Sequence, residues 1–236
     1  MSKSILCLLL FAMASLSCSP EIQETENQQG EQNLHTKPFL KAGIAMPANP
    51  GNAYDNAGRM HNQILEAYTY NNPAPLSARV AALEFIALGD STFLNLGPSY
   101  ASVSTAQLNV ITDNNLNQVL FNSSLSLSSQ NSLKALVETI LDLEASASSY
   151  KPVYDLIVAY ESGIIENMAL PEAERKIILT TTAIARYAAY YDKGKSKDKD
   201  WRISKGSFAS AIYGSQEGMG KGIIMSLAGG LYNSSN

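Results

Sequence analysis

Hydrophobic residues recur at helical spacing in one segment after another from Tyr54 onward, and Asn, Pro, Gly and Ser residues separate these segments. The clearest stripe lies between residues 130 and 147, where Leu, Val and Ile recur three or four positions apart. Strand signals are weak, because no Asn-Gly or Asp-Gly turn joins two alternating runs. The pattern therefore predicts an all-α protein, a single-domain helical bundle of about six helices followed by a Gly-rich C-terminal helical hairpin.

Local signals place the ends of several of these helices. Asn52 is the expected N-cap of the first helix, and Ser104 with Gln107 has the spacing of a capping box. Pro152 suits the first turn of the fifth helix. The six helices are predicted at residues 53–70, at 76–88, from 104, at 130–147, from 151, and at 171–191.

The N-terminus has the pattern of an export signal. Lys3 precedes a short apolar stretch, residues 5–13, which is too short to span a bilayer as a helix. One interpretation is a lipoprotein site at residues 15–18, in which Cys18 is acylated and becomes the new N-terminus. The alternative is ordinary cleavage at Ala12-Met13-Ala14, which would leave Cys18 as a free thiol. A lone thiol has no obvious purpose in an oxidising compartment, so we favour lipidation of Cys18.

Changes in composition along the chain predict its organisation. The segment after Cys18 is rich in Gln, Glu, Asn and Pro and has too few large apolar residues to fold by itself. A charged run, DKGKSKDKD, separates the last bundle helix from the C-terminal segment. The predicted divisions are a signal peptide at 1–17, lipidated Cys18 and a disordered tether at 18–50, the helical bundle at 51–192, a charged loop at 193–200, and a Gly-rich segment packed on the bundle at 201–236.

Small residues recur at every fourth position near the C-terminus. This spacing places them along one helix face, where a second backbone can approach closely. Glycine weakens a water-exposed helix by about 1 kcal/mol relative to alanine, so the segment needs a surface to pack on. We expect a tight hairpin on the bundle, with a membrane-active or self-associating segment as the alternative; the apolar run at 222–232 is shorter than a membrane span. These ladder residues are Gly206, Ser210, Gly214, Gly218, Gly222, Ser226 and Gly230.

A second motif lies at the start of the bundle. It contains Asn52, Tyr54, Asp55, Gly58, His61 and Asn62. Asp55 and Arg59 are spaced for an ion pair one helical turn apart. His61 is either a catalytic base or ligand, or a hydrogen-bonded core histidine, and we expect the second role.

Composition excludes several kinds of site. Cys7 is removed with the signal, so the folded domain has no cysteine for a disulfide, a zinc site or a nucleophile. With His35 and His61 the only histidines, no His-rich metal site is expected, and no GxSxG, HExxH or P-loop pattern accompanies His61. No cofactor is expected. The net charge of −4, without a basic block, argues against nucleic acid as a partner.

The motif at residues 52–62 resembles one found in uncharacterised bacterial envelope lipoproteins, some of them labelled as related to the bacteriocin fulvocin C. Ala53 stands where that group usually has proline. Trp201 and the Gly- and Ala-rich tail after it are similar to the C-termini of the same group. The resemblance implies a shared fold and export, but no established reaction.

We therefore expect a non-enzymatic binding module of the cell envelope. It would contact the membrane through its lipid anchor and bind an envelope protein or peptide, at the outer membrane or cell surface, or else in the periplasm. The alternative is a secreted, bacteriocin-like protein that acts on membranes through its Gly-ladder tail. A hydrolase that uses His61 is a third, weaker hypothesis.

Overall fold

The structure is a computed structural model that describes residues 46–69, 74–97, 100–113, 115–146, 149–194 and 202–234. Within these ranges the chain forms ten helices and no strand, so the predicted all-α fold is confirmed. The helices are α1 (Asp55–Ala67), α2 (Leu76–Leu88), α3 (Ser91–Leu94), α4 (Thr105–Asp113), α5 (Leu116–Phe121), α6 (Leu127–Ser146), α7 (Lys151–Glu166), α8 (Glu172–Gly194), α9 (Lys205–Glu217) and α10 (Met219–Ser234).

All six predicted bundle helices are present, and the second has its predicted bounds. The capping box of α4 also forms, because the Ser104 N–H donates to Gln107 Oε1 at 2.8 Å and the Gln107 N–H donates to Ser104 Oγ at 3.4 Å. The short helices α3 and α5 were not predicted. Each is too short to show a hydrophobic period, and each follows an N-cap residue whose side chain accepts a hydrogen bond from the first turn, Asp90 before α3 and Asn115 before α5.

Helix α8 and the C-terminal hairpin lie at the centre of the bundle. Every residue of α8 from 177 to 189 is buried, as is every residue of α10 from 221 to 231. Helices α1, α7 and α9 pack on α8, while α1, α2, α4 and α9 pack on α10. The predicted C-terminal helical hairpin is therefore confirmed, and it forms a large part of the core instead of lying on a finished bundle.

Several predictions fall outside the described residues. They include the signal peptide, the Ala12-Met13-Ala14 site, Cys18, most of the tether, Trp201 and residues 195–200 of the charged loop. Pro47, Ala48, Asn49 and Asn52 already bond to α7 or α8, so the packed domain begins before the predicted boundary at residue 51.

Among the described helices, none combines the length and the apolar character that crossing a bilayer requires.

Candidate functional site

The motif at residues 52–62 joins the start of the domain to α8 by hydrogen bonds and close packing. The Asn52 side chain donates to Glu161 Oε1 at 2.8 Å and to the Leu179 carbonyl at 3.0 Å. Its own oxygen accepts the Tyr54 N–H at 2.8 Å. The prediction that Asn52 is the N-cap of α1 is wrong, because α1 begins at Asp55 and Tyr54 occupies the cap position without a side-chain cap bond. Asn52 instead joins α7 to α8.

Asp55 is paired across the bundle and not along its own helix. Its carboxylate accepts hydrogen bonds from Arg186 Nη2 at 2.7 Å and from the Tyr187 hydroxyl at 3.0 Å. The predicted ion pair between Asp55 and Arg59 is wrong, since the exposed Arg59 side chain donates to Asn56 Oδ1 at 3.1 Å. A buried guanidinium on α8 offered Asp55 a stronger partner than an exposed arginine one turn away.

Gly58 and Asn62 continue the same contact along α1. A Cβ atom at Gly58 would collide with the Ala183 carbonyl and the Tyr187 ring, so only glycine permits this approach of the two backbones. The Asn62 side chain donates to the Tyr187 carbonyl at 2.8 Å. The motif therefore packs α1 against α8, and its Asn52, Asp55 and Asn62 side chains bond to α7 or α8.

A buried ionic cluster lies beneath this contact, and it contains residues that the motif does not include. The side chains of Glu161 on α7 and Arg186 on α8 are both fully buried, and Arg186 Nε lies 3.3 Å from Glu161 Oε2. Glu161 also accepts from Asn49 Nδ2 at 2.6 Å and from Thr182 Oγ1 at 2.9 Å, and Arg186 also donates to the Pro47 carbonyl. Burial alone would lower the pKa of Arg186, but the carboxylates of Glu161 and Asp55 raise it above its ordinary value.

The geometry of this cluster favours a structural role. Its charges are paired, Glu161 and Arg186 are fully buried, Asp55 is 22% exposed, and the members bond to one another. The sequence analysis assigned no role to Glu161, which lies on the apolar side of the fifth predicted helix. An acidic residue on an apolar stripe was the available signal, because a buried carboxylate needs partners elsewhere in the fold.

His61 is fully buried on α1, and its Nδ1 atom lies 3.0 Å from Asn62 Oδ1. Burial lowers the pKa of His61 to about 4, and the contact with Asn62 offsets only part of that shift. A catalytic base must reach the proton that it removes. A sealed, neutral imidazole does not offer that access, so the geometry lends no support to a hydrolase that uses His61.

The ladder residues divide between two helices. Gly218, with φ of 148°, is the turn between α9 and α10, so the seven positions do not form one continuous face. A Cβ at Gly214 would lie 2.6 Å from the Lys221 carbonyl oxygen, and one at Gly222 would lie 2.5 Å from Ser215 Oγ. Near the other end of the hairpin the close approach to α9 is made by Gly229, whose Cβ would lie 2.8 Å from the Gly206 carbonyl. The remaining members, Ser210, Ser226 and Gly230, are buried in the same hairpin.

A second polar centre surrounds Lys221 at the start of α10. Lys221 as a whole is almost completely buried. Its ammonium donates to the carbonyls of Ala101 at 2.6 Å and Ser102 at 3.0 Å, and to Gln107 Oε1 at 3.2 Å. The Gln107 side chain in turn donates to Glu217 Oε1 at 2.6 Å. These bonds attach the loop before α4 to the turn between α9 and α10.

A cleft of about 100 Å³ opens beside Lys221. The rings of Phe93 and Tyr100 form one wall, in an edge-to-face arrangement with centroids 5.3 Å apart. Gly220 lies opposite, and the Tyr100 hydroxyl donates to Glu84 Oε1 at 2.7 Å. The lining of the cleft includes Phe93, Leu94, Leu96, Tyr100, Lys176, Glu217 and Gly220.

Large exposed hydrophobic side chains gather at the same end of the bundle. Four of them are more exposed than buried by a wide margin: Met168 is 83% exposed, Phe85 82%, Phe121 77% and Leu127 72%. Phe85 and Leu88 lie in the last turn of α2, and Leu94 ends α3. Phe121 and Leu127 flank the α5–α6 turn, and Met168 lies in the α7–α8 connection. We call this set the apolar end: Phe85, Leu88, Leu94, Phe121, Leu127 and Met168.

Hydrogen bonds and the shared cleft show that these connections are neighbours. Ser124, in the α5–α6 turn, donates through its N–H to Gln216 Oε1 near the end of α9, and Ser126 Oγ donates to Glu174 at the start of α8. Leu94 on α3 and Lys176 on α8 line the cleft together with the α9–α10 turn. The apolar residues therefore belong to one end of the molecule.

The sequence did not reveal the apolar end, because α2 is apolar around most of its circumference. Its two charged side chains point inward: Arg79 donates to the carbonyls of Ala74 and Leu231, and Glu84 accepts from Tyr100 and Val103. Its outward positions are instead taken by exposed Ala78, Ala81, Ala82, Phe85 and Leu88. The placement of Arg79 and Glu84 was decided by their partners in the loop before α4 and at the end of α10.

The described residues hold no group of three or more His, Cys, Asp and Glu side chains placed to bind a metal ion. No protein-family model matches the chain, and no curated protein or solved structure is significantly similar to it.

Proposed function

We propose that this protein is an exported, lipid-anchored binding module, which holds another envelope protein or a peptide at its apolar end and catalyses no reaction. The observation that carries the proposal is the group of exposed Phe, Leu and Met side chains at one end of an otherwise packed bundle. Exposed apolar patches on stable proteins commonly mark interaction sites, because covering them gains about 25 cal/mol per Å² of apolar surface.

The position of the first described residues supports this arrangement. The Pro47 carbonyl accepts from Arg186 and the Ala48 carbonyl accepts from the Tyr154 hydroxyl, at the first turn of α7. Arg186 lies 14 residues from the start of α8, which is about 20 Å along the helix axis. A tether from Cys18 would thus join the domain well away from the apolar end and leave that end open to a partner.

The anchor is tested with Cys18→Ser and a clickable palmitate analogue. We expect label on the parent protein and none on the variant, with the variant released from the membrane fraction. Labelling that persists in Cys18→Ser, or a parent protein without label, would contradict the lipid anchor.

Binding is tested with a photo-crosslinking amino acid at Phe121 or Leu94, and at exposed Arg59 on α1 as the control. We expect one discrete product from both positions of the apolar end and none from position 59. The captured partner is then identified and purified, and its affinity for the purified parent protein is measured by titration. If all three positions give the same weak, heterogeneous set of crosslinked products, the apolar end is not a binding surface.

The alternative function, membrane activity of a bacteriocin-like protein, is favoured by one observation. Along α9 and α10 the charged side chains are confined to Lys205, Glu217 and Lys221, near the helix ends and the turn. Against it, the hairpin would have to leave the core in which most of its residues are buried. Dye release from phosphatidylglycerol vesicles tests this alternative, and we expect none from the intact protein.

A further inference from the structure

We infer that the cleft beside Lys221 takes one apolar side chain of a protein partner whose neighbouring residues are basic. This inference rests on the proposed function and names the chemistry of its partner. The occupant is a segment of another protein, and neither a membrane surface nor a second copy of this chain.

The size of the cleft selects a side chain over a free ligand. Pockets for drug-sized molecules span about 300–1,000 Å³, and an apolar cavity that holds benzene measures about 150 Å³. The cleft measures about 100 Å³, which is smaller than either and suits one aliphatic side chain inserted from outside. A side chain seated in a desolvated pocket, with weaker contacts around it, is the usual form of an energetic hot spot in a protein interface.

The lining of the cleft is mixed: Phe93, Leu94, Leu96 and Tyr100 supply its apolar part, and Lys176, Glu217 and Lys221 supply its charged part. The Tyr100 hydroxyl is engaged by Glu84, and the Lys221 ammonium by three oxygen acceptors, so neither group needs a polar ligand. Phe93 is only 3% exposed, so the apolar surface that an occupant would touch belongs mainly to the partly buried Tyr100 ring and to Leu94 at the rim. A Cβ at Gly220 would lie 3.0 Å from Phe93 Cζ and 3.2 Å from Tyr100 Cδ2, so glycine keeps this space open.

The walls of the cleft are held before any partner arrives. Lys221 bonds the loop at Ala101 and Ser102 to α10, and the Gln107 side chain links α4 to Glu217. A cleft whose walls are already fixed loses little conformational freedom on binding. This rigidity suits recognition of one side chain.

The charges at this end select the partner. Six carboxylates and three cations lie in the connections and flanking turns. Glu84, Glu174 and Glu217 are hydrogen-bonded within the protein, and so are Arg175 and Lys221, so the excess of negative charge remains. A basic segment complements this end, whereas an anionic lipid surface or a second acidic end would be repelled. The carboxylates are Glu84, Asp90, Glu166, Glu172, Glu174 and Glu217, and the cations are Arg175, Lys176 and Lys221.

The inference is tested by selecting a random-peptide display library on the whole protein carrying Cys18→Ser. We expect the enriched peptides to share an apolar residue next to Lys or Arg. The best peptide is synthesised and its affinity measured by fluorescence polarisation. Leu94→Glu should weaken binding by about tenfold or more, as expected for loss of a hot-spot contact. Gly220→Ala should weaken it less, and added salt should weaken it in the parent protein.

Met46→Glu is the matched control, because Met46 is 54% exposed and Leu94 is 52% exposed, and each change adds one carboxylate. Met46 precedes the anchored residues Pro47 and Ala48 and lies outside the apolar end. We expect Met46→Glu to leave the affinity unchanged. Equal losses in the two variants would show a general charge effect and overturn the inference.

Three other outcomes would also overturn it. They are enriched peptides without a shared apolar residue, retention on phosphatidylglycerol vesicles that is lost in Leu94→Glu, and a dimer in light scattering that is lost in the same variant. The proposed function is separable from this result. Discrete crosslinks from Phe121 with no effect of Leu94→Glu would reject the cleft alone, while the absence of crosslinks throughout the apolar end would reject the binding surface itself.

Discussion

Glu161 shows how much one residue depends on its surroundings. Its carboxylate accepts hydrogen bonds from Asn49, Asn52 and Thr182 and contacts the guanidinium of Arg186, all inside the protein. A buried ion that loses its partner retains the cost of its desolvation. The cluster therefore makes each of its members sensitive to substitution.

Replacing Arg186 with methionine should destabilise the protein by about 3–5 kcal/mol, because Glu161 and Asp55 lose their cation while Glu161 stays buried. The matched control is Lys151→Met, which breaks an ion pair with Asp155 whose side chains are 70% and 55% exposed. That change should cost at most about 0.5 kcal/mol. Urea denaturation of the two variants measures both, and similar midpoints for the two would contradict the buried role of Arg186.

His61 should make stability depend on pH. Burial lowers its pKa to about 4 in the folded protein, whereas an unfolded histidine titrates near 6.5. Between these values the unfolded chain binds more protons, so the free energy of unfolding falls as the pH falls, by up to about 1.4 kcal/mol per pH unit.

The check compares the parent protein with His61→Gln by urea denaturation across this pH window. As the pH falls from about 6.5 towards 4, the parent protein should lose more unfolding free energy than His61→Gln, which lacks this titrating group. Burial raises the pKa values of Glu144 and Asp192, but both proteins contain these groups, so their contributions cancel in the difference. Parallel pH curves for the two proteins would show that His61 is not sealed as described.

At the scale of elements, glycines within helices have two different roles in this protein. Gly214 lies where two helix backbones meet, whereas a Cβ at Gly163 in α7 would meet nothing within 4 Å. The same residue type is therefore needed for packing in one helix and is only a weak helix former in the other.

Gly214→Ala should destabilise the protein by about 1–3 kcal/mol, because its Cβ would lie 2.6 Å from the Lys221 carbonyl oxygen and force the hairpin apart. Gly163→Ala should stabilise it by up to about 1 kcal/mol through helix propensity. Urea midpoints with unchanged slopes measure both effects. Loss of stability in Gly163→Ala, or none in Gly214→Ala, would contradict the close packing of α9 on α10.

For the molecule as a whole, the buried hairpin predicts a pattern of amide hydrogen exchange. Amides of α9 and α10 should be among the slowest to exchange in water, because the hairpin opens only when the core opens. The exposed residues of the α5–α6 turn should exchange fast under all conditions. Added phosphatidylglycerol vesicles should change neither. A hairpin that exchanges fast in water and slowly with vesicles would support the membrane-active alternative.

The sequence alone predicted the six long helices, the capping box at Ser104 and Gln107, and the C-terminal hairpin. These features are local, since a hydrophobic period or a cap is written in residues a few positions apart. The short helices α3 and α5 were not predicted, because a helix of four or six residues is too short to show a hydrophobic period.

Only the tertiary structure decided the partners of the charged residues and the location of the exposed apolar ones. Asp55 pairs with Arg186, 131 positions away, and not with Arg59 on its own helix. Phe85 is exposed because Arg79 and Glu84 turn the other side of α2 towards α10 and the loop before α4. Side-chain partners depend on which elements meet in space, and that depends on the packing of the whole bundle, which no local pattern contains.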